Sequence, residues 1–244
     1  PNQKILDAGF GSGSILIPLA EQNHSSKIYG IDYSKLLFNS VSKEINGKAR
    51  LYLMDIMSHK SIYDIVHFKA ILHCFKNSEK ALDKLASLVK PNGLIITAHE
   101  NSQVEDRIEQ IFNCKINDKE LELLLDYYFT IRATLGKPFM QRKYPAGNSR
   151  NAVKYLCKKR GFKLVREIKS NKLHWNRKFK LADLIYSIKN RTYKVFDENI
   201  TEKENKIIIS KIIRFSKVNK INLNKSRSVP ANFEIYVLKN LKSR

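Results

Sequence analysis

A glycine-rich segment near the start of the chain has the composition of a cofactor-binding loop. It reads Leu6-Asp7-Ala8-Gly9-Phe10-Gly11-Ser12-Gly13, and its first residues belong to an apolar run, Lys4–Ala8, that predicts a strand. Glycines let the backbone turn tightly and approach a ligand closely, and a helix predicted at Ser14–Gln22 would offer unpaired N–H groups at its start. The segment therefore predicts a loop that holds a cofactor between a strand and a helix.

Two classes of cofactor compete for such a loop. The dinucleotide pattern is G-x-G-x-x-G/A, but Ser14 stands three residues after Gly11 and the extra glycine comes early, at Gly13. A carboxylate at Asp7 would repel a pyrophosphate, whereas it could hold the ammonium of an amino-acid moiety, directly or through water. The loop therefore favours a nucleoside cofactor that carries an amino acid.

Two further aspartates follow the second and third predicted strands. Asp32 could accept hydrogen bonds from both ribose hydroxyls, and Asp55 could accept one from an adenine amino group. Tyr33 and Ile56 could then lie on the two faces of the adenine ring. Each aspartate alone could equally be a helix cap or a turn former. Because the carboxyl ends of parallel strands meet at one edge of an open sheet, we expect the three aspartates to converge there.

The elements that must position these residues alternate along the first hundred residues. Strands are predicted at Lys4–Ala8, Lys27–Asp32, Arg50–Met54, Ile62–Phe68 and Leu94–Ala98, and helices at Ser14–Gln22, Ser34 to about Ile45, and Ser78–Val89. Strands that alternate with crossover helices predict an α/β fold with a parallel sheet buried on both faces. Pro91-Asn92-Gly93 predicts a turn, in which Asn92 can adopt a left-handed conformation.

After residue 100 the pattern changes to helices with two more strands. We expect residues 1–100 to form the cofactor-binding half of the core and residues 101–231 a helical cap that faces the substrate. Within that cap region a strand near 162–167 completes the sheet, and residues 232–239 form the last core strand, all within one domain. Leu121, Leu124, Leu125, Tyr128 and Phe129 form an apolar stripe at helical spacing, which favours a core role for both aromatic residues.

These motifs together resemble the class I S-adenosylmethionine-dependent methyltransferases, in particular the stand-alone bacterial type that acts on small molecules. Leu6–Gly13 resembles the first motif of the family, Gly30-Ile31-Asp32-Tyr33-Ser34 the second and Asp55-Ile56 the third, while Tyr63–His73 and Ala81–Gly93 resemble the segments around its fourth strand and before its fifth. Asn92 departs from the family where a glycine is usual, and Cys74 where a second histidine is common.

The resemblance implies a Rossmann-like sheet that is mainly parallel with an antiparallel last strand. It also implies S-adenosyl-L-methionine as the cofactor and S-adenosyl-L-homocysteine as its product, with the backbone around Phe68 and Lys69 beside the methionine part. The cofactor-binding set is then Asp7, Gly9, Gly11, Gly13, Asp32, Tyr33, Asp55, Ile56, Phe68 and Lys69.

Methyl transfer is an in-line displacement at an activated carbon, so a base is needed only for a neutral nucleophile. His73, after the fourth strand, is the candidate base, although a packed structural role fits it equally well. The candidate substrate-facing residues are His99, Tyr144, Trp175 and Tyr193. No Asp/Asn-Pro-Pro-Tyr/Phe run follows the fourth strand, and Cys74 does not follow a proline, which argues against amino and C5 methylation of DNA bases.

The charge of the chain favours an anionic partner. The formal net charge is +22, and 33 of the 45 basic residues but only 14 of the 23 acidic residues lie after residue 100. Residues 137–194 contain only two acids, Glu167 and Asp183. Such a field fits a phosphorylated or carrier-bound substrate, a lipid headgroup or a nucleic acid, although solvated lysines alone would give the same composition.

Three function classes therefore stay open. The first is methylation of a small molecule that is anionic or carrier-bound, the second is methylation of RNA through the basic 137–194 stretch, and the third is a non-catalytic protein that binds the cofactor. The three cysteines form no CxxC pair and no metal-ligand spacing, so we expect no metal site and a reducing, cytoplasmic setting. No apolar run is long enough to cross a bilayer.

Overall fold

A computed structural model describes residues 2–100, 118–138, 149–169, 174–191 and 200–242. Its strands are β1 (Lys4–Ala8), β2 (Lys27–Asp32), β3 (Arg50–Leu53), β4 (Tyr63–Lys69), β5 (Val89–Glu100), β6 (Phe162–Ile168), β7 (His174–Phe179) and β8 (Arg227–Asn240). Its helices are α1 (Leu16–Gln22), α2 (Lys35–Ile45), α3 (Ser78–Ser87), α4 (Lys119–Thr134), α5 (Ser149–Arg160), α6 (Leu181–Asn190) and α7 (Glu202–Val218). Short 3-10 turns lie at Ile56–Ser58 and Leu72–Cys74.

The chain divides into two compact units. Unit 1 comprises Pro1–Asn101, Tyr144–Leu173 and Phe233–Arg244, and unit 2 comprises Ser102–Lys143 and His174–Asn232. Within the described ranges, no helix is long and apolar enough to span a membrane.

The sheet of unit 1 has the strand order β3-β2-β1-β4-β5-β8-β6. Strands β1 to β5 run parallel to one another, and β8 runs antiparallel to both β5 and β6. After β3 the chain crosses to the other side of β1, which places a topological switch point between β1 and β4, where open α/β sheets bind ligands. The predicted fold class, a mainly parallel sheet with an antiparallel last strand, is confirmed.

Apolar residues cover both faces of this sheet. On one face, Leu6 of β1 belongs to a buried cluster with Leu85 of α3 and Leu156 of α5. On the other face, Ile5 belongs to a second cluster with Leu16 of α1 and Val41 of α2. Because successive side chains of a strand point to opposite faces, this alternation explains how β1 is buried from both sides.

The predicted turn at Pro91-Asn92-Gly93 is an irregularity within β5. Asn92 has the expected left-handed conformation, with a φ of 61°. The pairing of β4 with β5 jumps from Tyr63–Val89 to Ile65–Leu94, so the extra residues bulge out and the strand continues. A side chain at position 93 would approach the carbonyl oxygen of Asp64 to 2.7 Å, which explains the glycine there.

The cap region expected at 101–231 is divided between the two units. Helix α5 packs on the core of unit 1 through Ala152, Val153 and Leu156, and its Arg160 forms an ion pair with Asp83 of α3. Strand β6 pairs with β8 in the sheet. Residues 149–168 are therefore part of the sheet-bearing unit, because their apolar face is buried there.

Unit 2 is built around the helices α4, α6 and α7. Its core contains the predicted apolar stripe of α4, from Leu121 to Phe129, together with Ile188 of α6 and Ile212 of α7. The core role predicted for Tyr128 and Phe129 is confirmed. Strand β7 pairs with the first half of β8 in this unit, from His174–Asn232 to Phe179–Arg227.

A buried arginine connects two parts of unit 2. The side chain of Arg227 is 3% exposed; its Nε donates to Asp118 at 2.8 Å, and a second nitrogen contacts Glu120. The same guanidinium donates to the carbonyl oxygens of Asn222 and Lys225. It thereby joins the start of α4, where Asp118 is the N-cap, to the turn before β8.

We expect Arg227→Met to lower the free energy of unfolding by about 1–3 kcal/mol, because the change removes the buried guanidinium and leaves the partly exposed carboxylates of Asp118 and Glu120 without their ionic partner. Lys206→Met is the matched control, since Lys206 forms a largely exposed pair with Glu202 within α7. The control should cost less than about 0.5 kcal/mol. Denaturant unfolding of both variants measures the difference, and equal stability would contradict the role given to Arg227.

Candidate functional site

The ends of β1, β2 and β4 bring the predicted loop residues to one edge of the sheet. Ala8 lies opposite Ile31 of β2 on one side and opposite Phe68 of β4 on the other. The glycine-rich loop that follows Ala8 therefore leaves the sheet at the switch point. Its backbone is held there by hydrogen bonds from the N–H groups of Gly9 and Phe10 to the carbonyl oxygen of Ile31.

The Asp32 carboxylate organises this edge. Its Oδ2 accepts a hydrogen bond from the N–H of Gly11 and its Oδ1 accepts one from the N–H of Ser34, both at 2.8 Å. Burial raises the pKa of Asp32 above its ordinary value of 3.8; the backbone N–H groups act in the opposite direction, and the nearby Asp7 raises the pKa further. An ionised carboxylate has about four acceptor positions, so the bonds from the N–H groups of Gly11, Ser34 and Tyr33 do not exhaust it.

Glycine is favoured at Gly9 and at Gly11 of the loop for different structural reasons. At Gly9, with a φ of 74°, an added Cβ would meet Cγ2 of Ile71 at 2.4 Å, so both backbone and packing require glycine. At Gly11, with a φ of 54°, no atom lies within 4 Å of an added Cβ. Gly11 therefore borders open space, while its N–H is bonded to Asp32. This is the arrangement expected of a loop that a ligand approaches closely. The residues at this edge fit a nucleoside cofactor.

The third predicted aspartate lies on the surface. Asp55 is exposed and is the N-cap of the 3-10 turn that follows β3, with Oδ1 accepting from the N–H of Met57 at 2.9 Å. Tyr33 is 62% exposed at the end of β2. Ile56 is buried in the core of unit 1, with 6% of its surface exposed.

The end of β4 has an unusual backbone. Phe68 is fully buried and Lys69 is partly exposed, and Ala70 directly after them has a left-handed φ of 52°. That conformation costs a non-glycine residue about 1–2 kcal/mol. Ile71, which follows, packs against Gly9, so the two loops at the switch point contact each other.

A buried polar pair between β1 and β4 was not predicted. Nδ1 of His67 lies 2.7 Å from Oδ1 of Asp7, and the two residues are 8% and 2% exposed. They are direct neighbours across the parallel ladder. The only sequence signal is a histidine inside the apolar run of β4, and its partner becomes visible only once the strand pairing is known.

The structure places the other candidate residues only in part. His73 lies in the turn Leu72–Cys74, His99 in β5 and Trp175 in β7, but their side chains lie outside the described part of the structure. Tyr144 and Tyr193 lie outside the described residues altogether. In the ranges that are described, no group of three or more His, Cys, Asp or Glu residues could hold a metal ion.

Comparison with known proteins agrees with this geometry. Residues 1–144 match the family model of a methyltransferase domain. Among solved structures, the chain is similar to a putative methyltransferase from Bacillus halodurans C-125, with a TM-score of 0.50 and 14% identity over 99% of this chain and 94% of that one. A comparison with curated proteins gives no match.

Two further solved structures share the fold. N-methyltransferase NodS from Bradyrhizobium japonicum WM9, in complex with S-adenosyl-L-homocysteine, has a TM-score of 0.50 and 8% identity over 99% of this chain and 80% of that one. The [4+2]-cyclase SpnF has a TM-score of 0.52 and 13% identity over 99% of this chain and 76% of that one.

The sheet order, the switch point and the glycine loop bonded to Asp32 define the class I methyltransferase fold. The chain belongs to the methyltransferase domain family and is an S-adenosylmethionine-dependent methyltransferase. The predicted family, enzyme class and cofactor are confirmed.

We expect Gly11→Val to weaken binding of S-adenosyl-L-homocysteine by about a hundredfold or more, because the side chain would fill the open space that the ligand needs. Gly47→Val is the matched control. Gly47 also has a left-handed φ, 77°, and open space around an added Cβ, but it follows α2 away from the carboxyl edge.

Both variants should lose similar stability, since the backbone strain is the same in kind. Only Gly11→Val should lose the ligand in calorimetric titration. Unchanged affinity for S-adenosyl-L-homocysteine in Gly11→Val would contradict the assignment of the cofactor site to this loop.

Proposed function

We propose that the enzyme transfers the methyl group of S-adenosylmethionine to a small molecule that is anionic or carried on an acidic protein. The observation that carries the proposed cofactor site is the Asp32 carboxylate, bonded to Gly11 of an open glycine loop at the switch point. When bound, the cofactor supplies a methyl carbon that is activated by the sulfonium charge.

The residues at the carboxyl edge take separate roles in this proposal. Asp32 accepts hydrogen bonds from the ribose hydroxyls, and the exposed Asp55 accepts one from the adenine amino group, beside Tyr33 and Ile56. Gly9, Gly11 and Gly13 let the backbone pass close to the ligand. Phe68 and Lys69 border the methionine part, whose ammonium is attracted by Asp7, directly or through water.

The chain's contribution to methyl transfer is mainly to hold the two reactants in line and to exclude water. His73, in the turn after β4, is the proposed base for an acceptor that must lose a proton. His99, Tyr144, Trp175 and Tyr193 are the proposed contacts to the acceptor.

The charge of the chain supports an anionic acceptor. The basic stretch 137–194 is shared between the two units: Tyr144–Leu173 belongs to unit 1, and the residues of the stretch on either side of it belong to unit 2. The high positive charge of the chain favours an anionic acceptor. The solved structure of NodS is described as an N-methyltransferase, which supports an acceptor nitrogen as one of the atoms to test.

RNA is the second candidate acceptor, because the same basic stretch could track phosphates. The third candidate is a protein that binds the cofactor without methyl transfer, and SpnF, which shares the fold and is described as a cyclase, makes an activity assay necessary. Tight RNA binding that falls steeply with added salt would favour the second candidate, and cofactor binding without turnover on any acceptor would favour the third.

Calorimetric titration should give micromolar binding of S-adenosylmethionine and S-adenosyl-L-homocysteine and no binding of NAD. The physical reason is the repulsion that Asp7 would exert on a pyrophosphate. Binding of NAD alone would overturn the proposed site. With the cofactor established, anionic small molecules and a carrier-bound acceptor are assayed for methyl transfer.

The affinity for S-adenosyl-L-homocysteine should fall on acidification at a pH above 3.8, because the pKa of Asp32 is raised and only the ionised carboxylate accepts both ribose hydroxyls. Asp32→Asn should bind more weakly at neutral pH and lose this step in the pH profile. Asp55→Asn is the control, and its affinity for S-adenosyl-L-homocysteine should fall at the same pH as that of the wild type. A profile that is the same in Asp32→Asn and the wild type would contradict the assignment.

A further inference from the structure

The Asp7–His67 pair lies between the core of unit 1 and the proposed cofactor edge. Two residues earlier on the same face, the cross-strand neighbours are Ile5 and Ile65, which pack in the core. Two residues later along β1 the chain reaches Gly9 of the cofactor loop. Asp7 and His67 are thus the last buried cross-strand pair on this face before the site, and they occupy positions where an apolar pair would fit the same face.

Packing alone does not explain this pair. The backbones of β1 and β4 are already joined by ladder hydrogen bonds. Replacing a buried polar pair by well-packed apolar residues is often neutral or stabilising, so stability alone does not require a polar pair at 2.7 Å in this position. A buried carboxylate without a donor would be costly, and His67 provides that donor.

The charge of Asp7 acts on Asp32, the neighbouring residue of the proposed site. The negative charge of Asp7 is one of the causes that raise the pKa of Asp32, which lies on the adjacent strand two residues beyond the partner of Asp7. The field of Asp7 therefore acts at the edge where the proposed cofactor binds, although the Asp7 side chain itself is almost completely buried.

We propose that His67 is a positioning residue for cofactor binding: its imidazole holds the Asp7 carboxylate in place as a buried negative charge that attracts the ammonium of the methionine part. This inference rests on the proposed function. When Asp7 is ionised it can only accept, so Nδ1 of His67 carries the hydrogen and donates it. No bond is made or broken; His67 acts through Asp7 and does not touch the cofactor.

The test compares two nucleosides that differ in the amino-acid moiety. S-Adenosyl-L-homocysteine carries the ammonium, and 5′-methylthioadenosine lacks the whole amino-acid part. His67→Leu removes the donor. His67→Asn is the rescue variant, because its amide nitrogen is, like Nδ1, two bonds from Cβ and can donate to the same carboxylate oxygen.

We expect His67→Leu to bind S-adenosyl-L-homocysteine about tenfold more weakly and 5′-methylthioadenosine within about twofold of the wild type. His67→Asn should bind both ligands within about threefold of the wild type. A merely structural role would weaken both ligands in parallel with the loss of thermal stability, and that result, or wild-type selectivity in His67→Leu, would overturn the proposal.

A second pair of variants keeps the test decisive if His67→Leu does not fold. Asp7→Asn should lose the preference for S-adenosyl-L-homocysteine over 5′-methylthioadenosine while His67→Asn keeps it, and loss of the preference in both or in neither would overturn the proposal. Failure of the wild-type protein to bind S-adenosyl-L-homocysteine would instead refute the proposed function, which this inference requires.

Discussion

The architecture of the carboxyl edge of the sheet in unit 1 depends on the hydrogen bonds that the Asp32 carboxylate accepts. One of its oxygens fixes the backbone of the glycine loop at Gly11, and the other fixes the turn at Ser34. Ser34 is in turn the N-cap of α2, with its side chain accepting from the N–H of Leu37. A single buried carboxylate therefore sets the position of the loop after β1 and the start of the helix after β2. The same group is required to fold the edge and, in our proposal, to bind the ribose.

Much of the structure of unit 1 could be predicted from the sequence, because the sequence patterns that specify it are local. The glycine loop, the aspartate that ends β2 and the alternation of strands and helices are each contained in a few consecutive residues. The position of α5 was not predictable in that way, since its own sequence specifies a helix but not the core that buries it. The bulge in β5 was expected only as a turn, because continuation of the strand depends on its pairing with β4.

The site shows the same division between local and non-local information. Sequence alone could not distinguish Gly9, where Ile71 fills the space, from Gly11, where the space is open. The Asp7–His67 contact joins residues 60 positions apart, and the register of β1 and β4 is needed to see it. The fold is shared with proteins described as methyltransferases and as a cyclase, so the reaction must be argued from such contacts rather than from the sheet.

The buried pair between β1 and β4 also has an evolutionary consequence. A change to an apolar residue at position 7 or position 67 alone leaves one polar group without its partner in a dry environment, which carries a substantial penalty. Substitution of both by apolar residues has no such penalty, but a lineage can reach it only through one of the two costly intermediates. We therefore expect the two positions to be retained together or exchanged together as related sequences diverge.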